Sequence, residues 1–77
     1  MIKVYGTTWC ADCKLAKRVL DEQGAGYQWI DIEAEPEAVA TVEKLNGGMR
    51  SVPTILFPDG RVMVEPSRQE LTRALAG

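Results

Sequence analysis

Cys10 and Cys13 are the side chains in this 77-residue sequence whose type and spacing point to one specific chemistry. Two thiols arranged as Cys10-Ala11-Asp12-Cys13 at the start of a helix lie within reach of a single disulfide. A helix N-terminus presents unpaired N–H groups and the positive end of the macrodipole, which favour a negative sulfur and a larger thiolate fraction. Cys10, first at that terminus, is the expected nucleophile. Cys13, one turn further in on the same face, is placed to attack a disulfide formed at Cys10 and release whatever is attached. The sequence has no histidine, so Ser-His-Asp and Cys-His nucleophilic pairs, histidine acid–base catalysis and imidazole metal sites are excluded.

Other readings of the pair stay open on the residues alone. A structural disulfide would close a loop worth only about 2 kcal/mol in the chain-entropy model, and cytosolic disulfides tend to be exchanged or reduced. A closed zinc site needs four ligands, which two cysteines without histidine cannot supply within one chain. An iron–sulfur cluster shared by two chains would take Cys10 from each and draw its other two sulfurs from small thiols. Two inert buried thiols would have to fall at one helix start by chance. Asp12 has two roles open to it. Its charge raises the pKa of neighbouring thiols, opposed by Lys14 and Arg50, and it also suits the first turn of a helix.

The elements that must position the cysteines follow from periodicity and punctuation. Ile2-Lys3-Val4-Tyr5 alternates apolar and polar residues and predicts a first strand, interrupted by Gly6. Leu15, Ala16, Val19 and Leu20 recur at helical spacing over Ala11 to Gln23, and Gly24 supplies the stop. Tyr27 to Ile32 reads as a second strand, parallel to the first across that helix. Pro36, the spacing of Val39, Val42 and Leu45, and the stop Asn46-Gly47-Gly48 predict a second helix. Thr54 to Phe57 and Arg61 to Val64 flank Pro58-Asp59-Gly60 as an antiparallel hairpin. Ser67-Arg68-Gln69-Glu70 is a capping-box pattern that opens a last helix with Leu71, Ala74 and Leu75 inward. The order is β-α-β-α-β-β-α, an α/β arrangement, and Tyr27, Trp29, Val39 and Leu45 read as core.

Composition bounds the rest. Residues 1–77 make one small domain, with 45% hydrophobic and 26% charged content typical of a folded globule. Nine basic against eleven acidic residues give a net charge of -2, too weak a field to hold a nucleic-acid backbone. No apolar run approaches the about 20 residues of a spanning helix, and no signal-peptide segment is visible, so the chain is expected to stay in the cytoplasm, off the membrane.

Thr7-Thr8-Trp9-Cys10-Ala11-Asp12-Cys13, the element order, and Arg50-Ser51-Val52-Pro53 before a strand resemble the glutaredoxin branch of the thioredoxin fold, over essentially the whole chain. More narrowly, Tyr5 to Cys13, Asp31-Ile32-Glu33, Asn46-Gly47-Gly48, Ser51-Val52-Pro53-Thr54 and Phe57-Pro58-Asp59-Gly60 are similar to mycoredoxin-type proteins. The resemblance implies a four-stranded mixed sheet with three helices. It implies a thiol–disulfide oxidoreductase with Cys10 as nucleophile and Cys13 as resolving thiol. It further implies a cis Val52–Pro53 peptide facing the active disulfide, with Val52 backbone groups free to pair with an extended thiol substrate.

Thr8, Trp9, Arg50, Ser51, Val52, Pro53 and Ser67 are the expected substrate-binding residues, Trp9 offering either a flat apolar surface to a partner or packing against the helix start. Glutathione-using glutaredoxins carry Gly-Gly and an acidic pair where this chain has Glu65-Pro66-Ser67-Arg68-Gln69. A low-molecular-weight thiol of the mycothiol type is therefore expected over glutathione as co-substrate, Ser67 and its helix start holding an anionic or polyhydroxyl group. The resemblance implies no bound cofactor or metal, NADPH acting through a separate flavin-dependent disulfide reductase, oxidised proteins as substrates, and a monomer. Two alternatives accompany this reading. One is a redoxin coupled to thioredoxin reductase that serves ribonucleotide reductase or a peroxidase, although the Trp-Ser-Gly-Phe-Arg-Pro stretch typical of that branch is missing. The other is an iron–sulfur cluster carrier.

Overall fold

The computed structural model describes residues 1–76. Its elements are β1 (Ile2–Gly6), α1 (Ala11–Glu22), β2 (Tyr27–Asp31), α2 (Pro36–Leu45), β3 (Thr54–Leu56), β4 (Val62–Val64) and α3 (Arg68–Ala76). Their order is the one the sequence predicts. The four strands make one mixed sheet in the order β2-β1-β3-β4, with β1 parallel to β2 and antiparallel to β3, and β3 antiparallel to β4.

Alternation along β1 sends its side chains to two different cores. Ile2 and Val4 join Ala16, Val19 and Leu20 of α1, Ile55 of β3, Phe57 and Leu71 of α3. Tyr5 points the other way, into a cluster with Ile30, Ile32, Ala38 and Val42 that seats α2. Thus α1 and α3 cover one face and α2 covers the other, so the central strand is buried on both sides.

The ends of the elements differ by a residue or two from the sequence reading, for local reasons. Helix α1 stops at Glu22 because Gly24 takes a left-handed φ of 68°, with Ala25 N–H bonded to Leu20 C=O and Gly24 N–H to Asp21 C=O. That pair of bonds is a Schellman motif. The hairpin strands are shorter than expected because Phe57 and Arg61 close the turn, Phe57 N–H donating to Arg61 C=O at 2.9 Å. The predicted capping box is present. Ser67 Oγ accepts the Glu70 N–H at 3.1 Å and Glu70 Oε1 accepts the Ser67 N–H at 2.9 Å. Trp29, Tyr27, Val39 and Leu45 pack against the clusters while staying partly exposed.

Candidate active site

The carboxyl end of β1 delivers the chain, through the turn Thr7-Thr8-Trp9, directly to the start of α1. In parallel αβ units this end of the strand is where functional groups collect. Cys10 is the N-cap, with extended backbone at φ -80° and ψ 119°, and its carbonyl accepts the first helical bond from Lys14 N–H at 3.1 Å. Its sulfur takes the position that a serine or aspartate oxygen takes at other caps. Cys10 Sγ accepts the Cys13 N–H at 3.2 Å, and the Cys10 thiol points at the Val52 carbonyl 3.8 Å away. The nucleophile expected from sequence is therefore half-exposed, faces the helix terminus and touches the proline loop.

Cys13 lies in the opposite situation. It has 0% exposure and sits behind Cys10 against β1 and β2. A Cβ placed on Gly6 would stand 2.5 Å from Cys13 Sγ and 2.7 Å from the Trp29 ring. Gly6 is thus required by the close approach of both the Cys13 sulfur and the Trp29 indole. Lys17 Nζ, one turn beyond Cys13 on α1, lies over that indole at 4.0 Å from its centroid. Burial pushes the Cys13 thiol up from its ordinary 9.0 to about 12, helped by its hydrogen bond with Cys10 and by the charges of Cys10 and Asp12, and opposed by a backbone bond at Thr7. Asp12 acts on this sulfur in the raising direction, whatever it contributes to the helix start.

The loop after α2 completes the corner. The Val52–Pro53 peptide is cis and Pro53 is buried. A polar latch holds this loop: Asn46 Nδ2 donates to Thr54 Oγ1 at 2.7 Å, and Thr54 Oγ1 donates to the Ser51 carbonyl at 2.7 Å. Asn46, read from sequence only as a helix stop, therefore ties the α2 C-terminus to the proline loop.

A groove of about 540 Å³ opens beside Cys10, lined by Thr7, Trp9, Ile32, Glu33, Val39, Arg50 and Val52. Trp9 is 68% exposed and its Nε1–H donates to Glu33 Oε1 at 3.0 Å. Arg50 Nε pairs with Glu43 Oε2 of α2 at 3.1 Å. The structure thus brings Trp9, Arg50 and Val52 together. Thr8 is exposed in the turn, Ser51 and Pro53 flank the groove along the chain without lining it, and Ser67 lies outside it. The Ser67 segment is linked to the proline loop through Glu65 N–H and the Pro53 carbonyl at 2.9 Å.

Thr7, Ile32, Glu33 and Val39 are groove residues to which sequence reasoning gave no binding role. The nearest signal was the Asp31-Ile32-Glu33 segment at the end of β2. Among the described residues no group of three or more His, Cys, Asp or Glu side chains is arranged to hold a metal ion.

Comparison with known proteins identifies the scaffold. The sequence model of the glutaredoxin family matches residues 2–63. Mycoredoxin 1 of Corynebacterium glutamicum is 34% identical over 70 residues, which span 91% of this chain and 86% of that protein. The glutaredoxin-like protein NrdH of Lactococcus lactis is 34% identical over 59 residues, 77% of this chain and 79% of that protein. Among solved structures, a glutaredoxin from Archaeoglobus fulgidus superposes with a TM-score of 0.84 over 99% of this chain and 86% of that chain, at 22% identity, a likeness of fold. The family match over most of the length, on a thioredoxin-like fold that sets one thiol open and one buried, makes this chain a member of the glutaredoxin family, a thiol–disulfide oxidoreductase.

Proposed function

We propose that the chain reduces mixed disulfides between oxidised proteins and a low-molecular-weight thiol of the mycothiol type, with Cys10 as nucleophile and Cys13 in reserve. The Cys10 thiolate attacks the small-thiol sulfur. A Cys10–small-thiol bond forms, the mixed disulfide breaks, and the protein thiolate leaves with the electron pair and takes up a proton. A second small thiolate then attacks the small-thiol sulfur held on Cys10, giving the small-thiol disulfide and a free Cys10 thiolate. In the other route Cys13, once deprotonated, attacks Cys10 Sγ and expels the small thiol, and a flavin-dependent reductase returns the Cys10–Cys13 disulfide to two thiols at the expense of NADPH. Thr8, Ser51, Val52 and Pro53 would shape the approach to Cys10, and the Val52 backbone would pair with the extended part of the substrate.

The observation that carries this reading is the unequal placement of the two sulfurs. In the reduced protein a buried thiol at about 12 keeps its proton at neutral pH, and continued burial favours the route through a second small thiol. Two of the causes holding Cys13 up arise from Cys10 itself and change when Cys10 enters a disulfide, whereas burial persists. Support for a thiol other than glutathione comes from α3. Where glutathione-using relatives hold the γ-glutamyl end, the Glu70 carboxylate already occupies the helix start. Bonds to the Ser67 backbone and side chain hold that carboxyl below its usual range and close the capping box, where glutathione-using relatives have Gly-Gly and an acidic pair. A polyhydroxyl group can still accept from the Ser67 hydroxyl.

The likeness to NrdH favours a second reading, in which a thioredoxin-reductase-type enzyme is the direct donor. The test is the rate at which the oxidised protein is reduced by mycothiol, bacillithiol, glutathione, or NADPH with thioredoxin reductase, followed by tryptophan fluorescence. Fast reduction by mycothiol and slow reduction by the reductase is the expected result. The reverse would move the chain to the reductase-coupled redoxins.

A further inference from the structure

We infer that the groove beside Cys10 selects protein substrates carrying an arginine or lysine next to the disulfide cysteine. This inference rests on the reading that the chain acts on protein mixed disulfides, and it names which proteins it prefers. The groove opens beside the reacting sulfur, because the Val52 carbonyl that faces the Cys10 thiol belongs to a residue of its wall. A side chain adjacent to the substrate cysteine is therefore delivered into it.

Three features match a long cationic side chain. Ile32, Val39 and Val52 supply an apolar wall along which an aliphatic stem can lie with its charged head outward. Trp9 supplies an exposed indole in the same groove, the aromatic partner that cations favour most. Glu33 supplies the countercharge. Its Oε1 is fixed by the Trp9 indole N–H at 3.0 Å, and among the described residues its carboxylate forms no ion pair, leaving Oε2 to accept from a guanidinium or ammonium.

The other charge in the lining, Arg50, is met by Glu43 at 3.1 Å. The uncompensated charge of the groove is therefore negative, so a cationic side chain is attracted and an acidic one repelled. The separation of Trp9 and Glu33 by a strand and a helix hid this pairing from the sequence, where each residue stands alone.

The test uses three synthetic peptides, each with one cysteine joined to 2-mercaptoethanol as a mixed disulfide and flanked on both sides by arginine, alanine or glutamate. Each is mixed with the reduced protein in a single turnover, peptide thiol release is followed by mass spectrometry, and each rate is divided by that peptide's rate with dithiothreitol. That division removes differences in the leaving thiol. The arginine peptide is expected to react about five-fold faster than the alanine peptide, the combined effect of one exposed ion pair and one cation–π contact, with the glutamate peptide slowest. In Glu33→Gln, which keeps the acceptor for Trp9 and loses the charge, the arginine-to-alanine ratio should fall to about two, the share left to the cation–π contact with Trp9. In the unaltered protein the same ratio should shrink as salt is raised. Equal rates for the arginine and alanine peptides, or an arginine preference undiminished in Glu33→Gln, would overturn the inference. The alanine peptide separates the two levels of the argument: its turnover supports the underlying reading alone, and no release from any peptide would overturn both.

Discussion

On the outer side of the α1 N-terminus, Cys10 Sγ accepts an amide N–H and faces the carbonyl of Val52, a residue of the groove wall, whereas on the inner side Cys13 Sγ is buried close to Gly6, which the Trp29 indole also approaches. The two residues lie within one turn of the same helix. What separates them is the size and polarity of their neighbours. The outer sulfur receives a backbone donor and is partly open to solvent. The inner sulfur is denied water, and burial raises its pKa to about 12. Local spacing thus creates a pair of thiols, and tertiary packing gives the two unequal surroundings.

The sharpest way to break this comparison is to remove one sulfur at a time. Cys10→Ser should drop every disulfide-reducing activity by roughly three orders of magnitude or more, as loss of a nucleophile generally does. Cys13→Ser should keep turnover driven by a second small thiol and lose turnover driven by a disulfide reductase. Steady-state assays with each donor in turn check both statements.

A second change attacks the wall on the inner side. Gly6→Ala inserts a methyl 2.5 Å from Cys13 Sγ and 2.7 Å from Trp29, into a strand paired on both edges. Overpacking at such a point should cost about 1–3 kcal/mol in urea denaturation, with the Cys13 sulfur or the indole displaced. A stability unchanged by this substitution would mean that the wall yields freely.

The third test uses pH. A thiol that ionises at 9.0 when free and at about 12 when folded favours the folded state below 9.0, and that contribution is lost as pH rises from 9.0 towards 12. The reduced protein should therefore lose about 1.4 kcal/mol per pH step through this window relative to Cys13→Ser, which lacks the group. Denaturation midpoints of the two proteins, compared at matched pH, cancel the other titrating side chains except Cys10, which is coupled to Cys13.

The legible and the hidden parts of the molecule divide along the same physical line. The helical spacing of Ala16, Val19 and Leu20, the stop at Gly24 and the capping box at Ser67 are local signals, and each element formed where it was expected. Cys10 and Cys13 were legible because their spacing and their place after a strand are also local. Trp29 was read as core and does pack on the main cluster, though partly exposed on an edge strand, where its register opposite Val4 carries the ring towards Gly6. Glu33 and Val39 enter the groove only because β2 and α2 meet the loop before Cys10 in space. Asn46 bonds across to Thr54 through a turn that periodicity does not encode. Contacts between elements leave no periodic trace, so the unequal burial of the two sulfurs was visible only in outline.

The most direct test of that difference is a timed reaction of the reduced protein with iodoacetamide over a series of pH values, with the modified cysteine located by peptide mass spectrometry. Cys10 should carry essentially all of the label from neutral pH upward, and Cys13 should follow only as the pH approaches about 12. Labelling of Cys13 at neutral pH at a rate matching or exceeding that of Cys10 would contradict the assignment of the open sulfur as nucleophile and the buried one as its reserve.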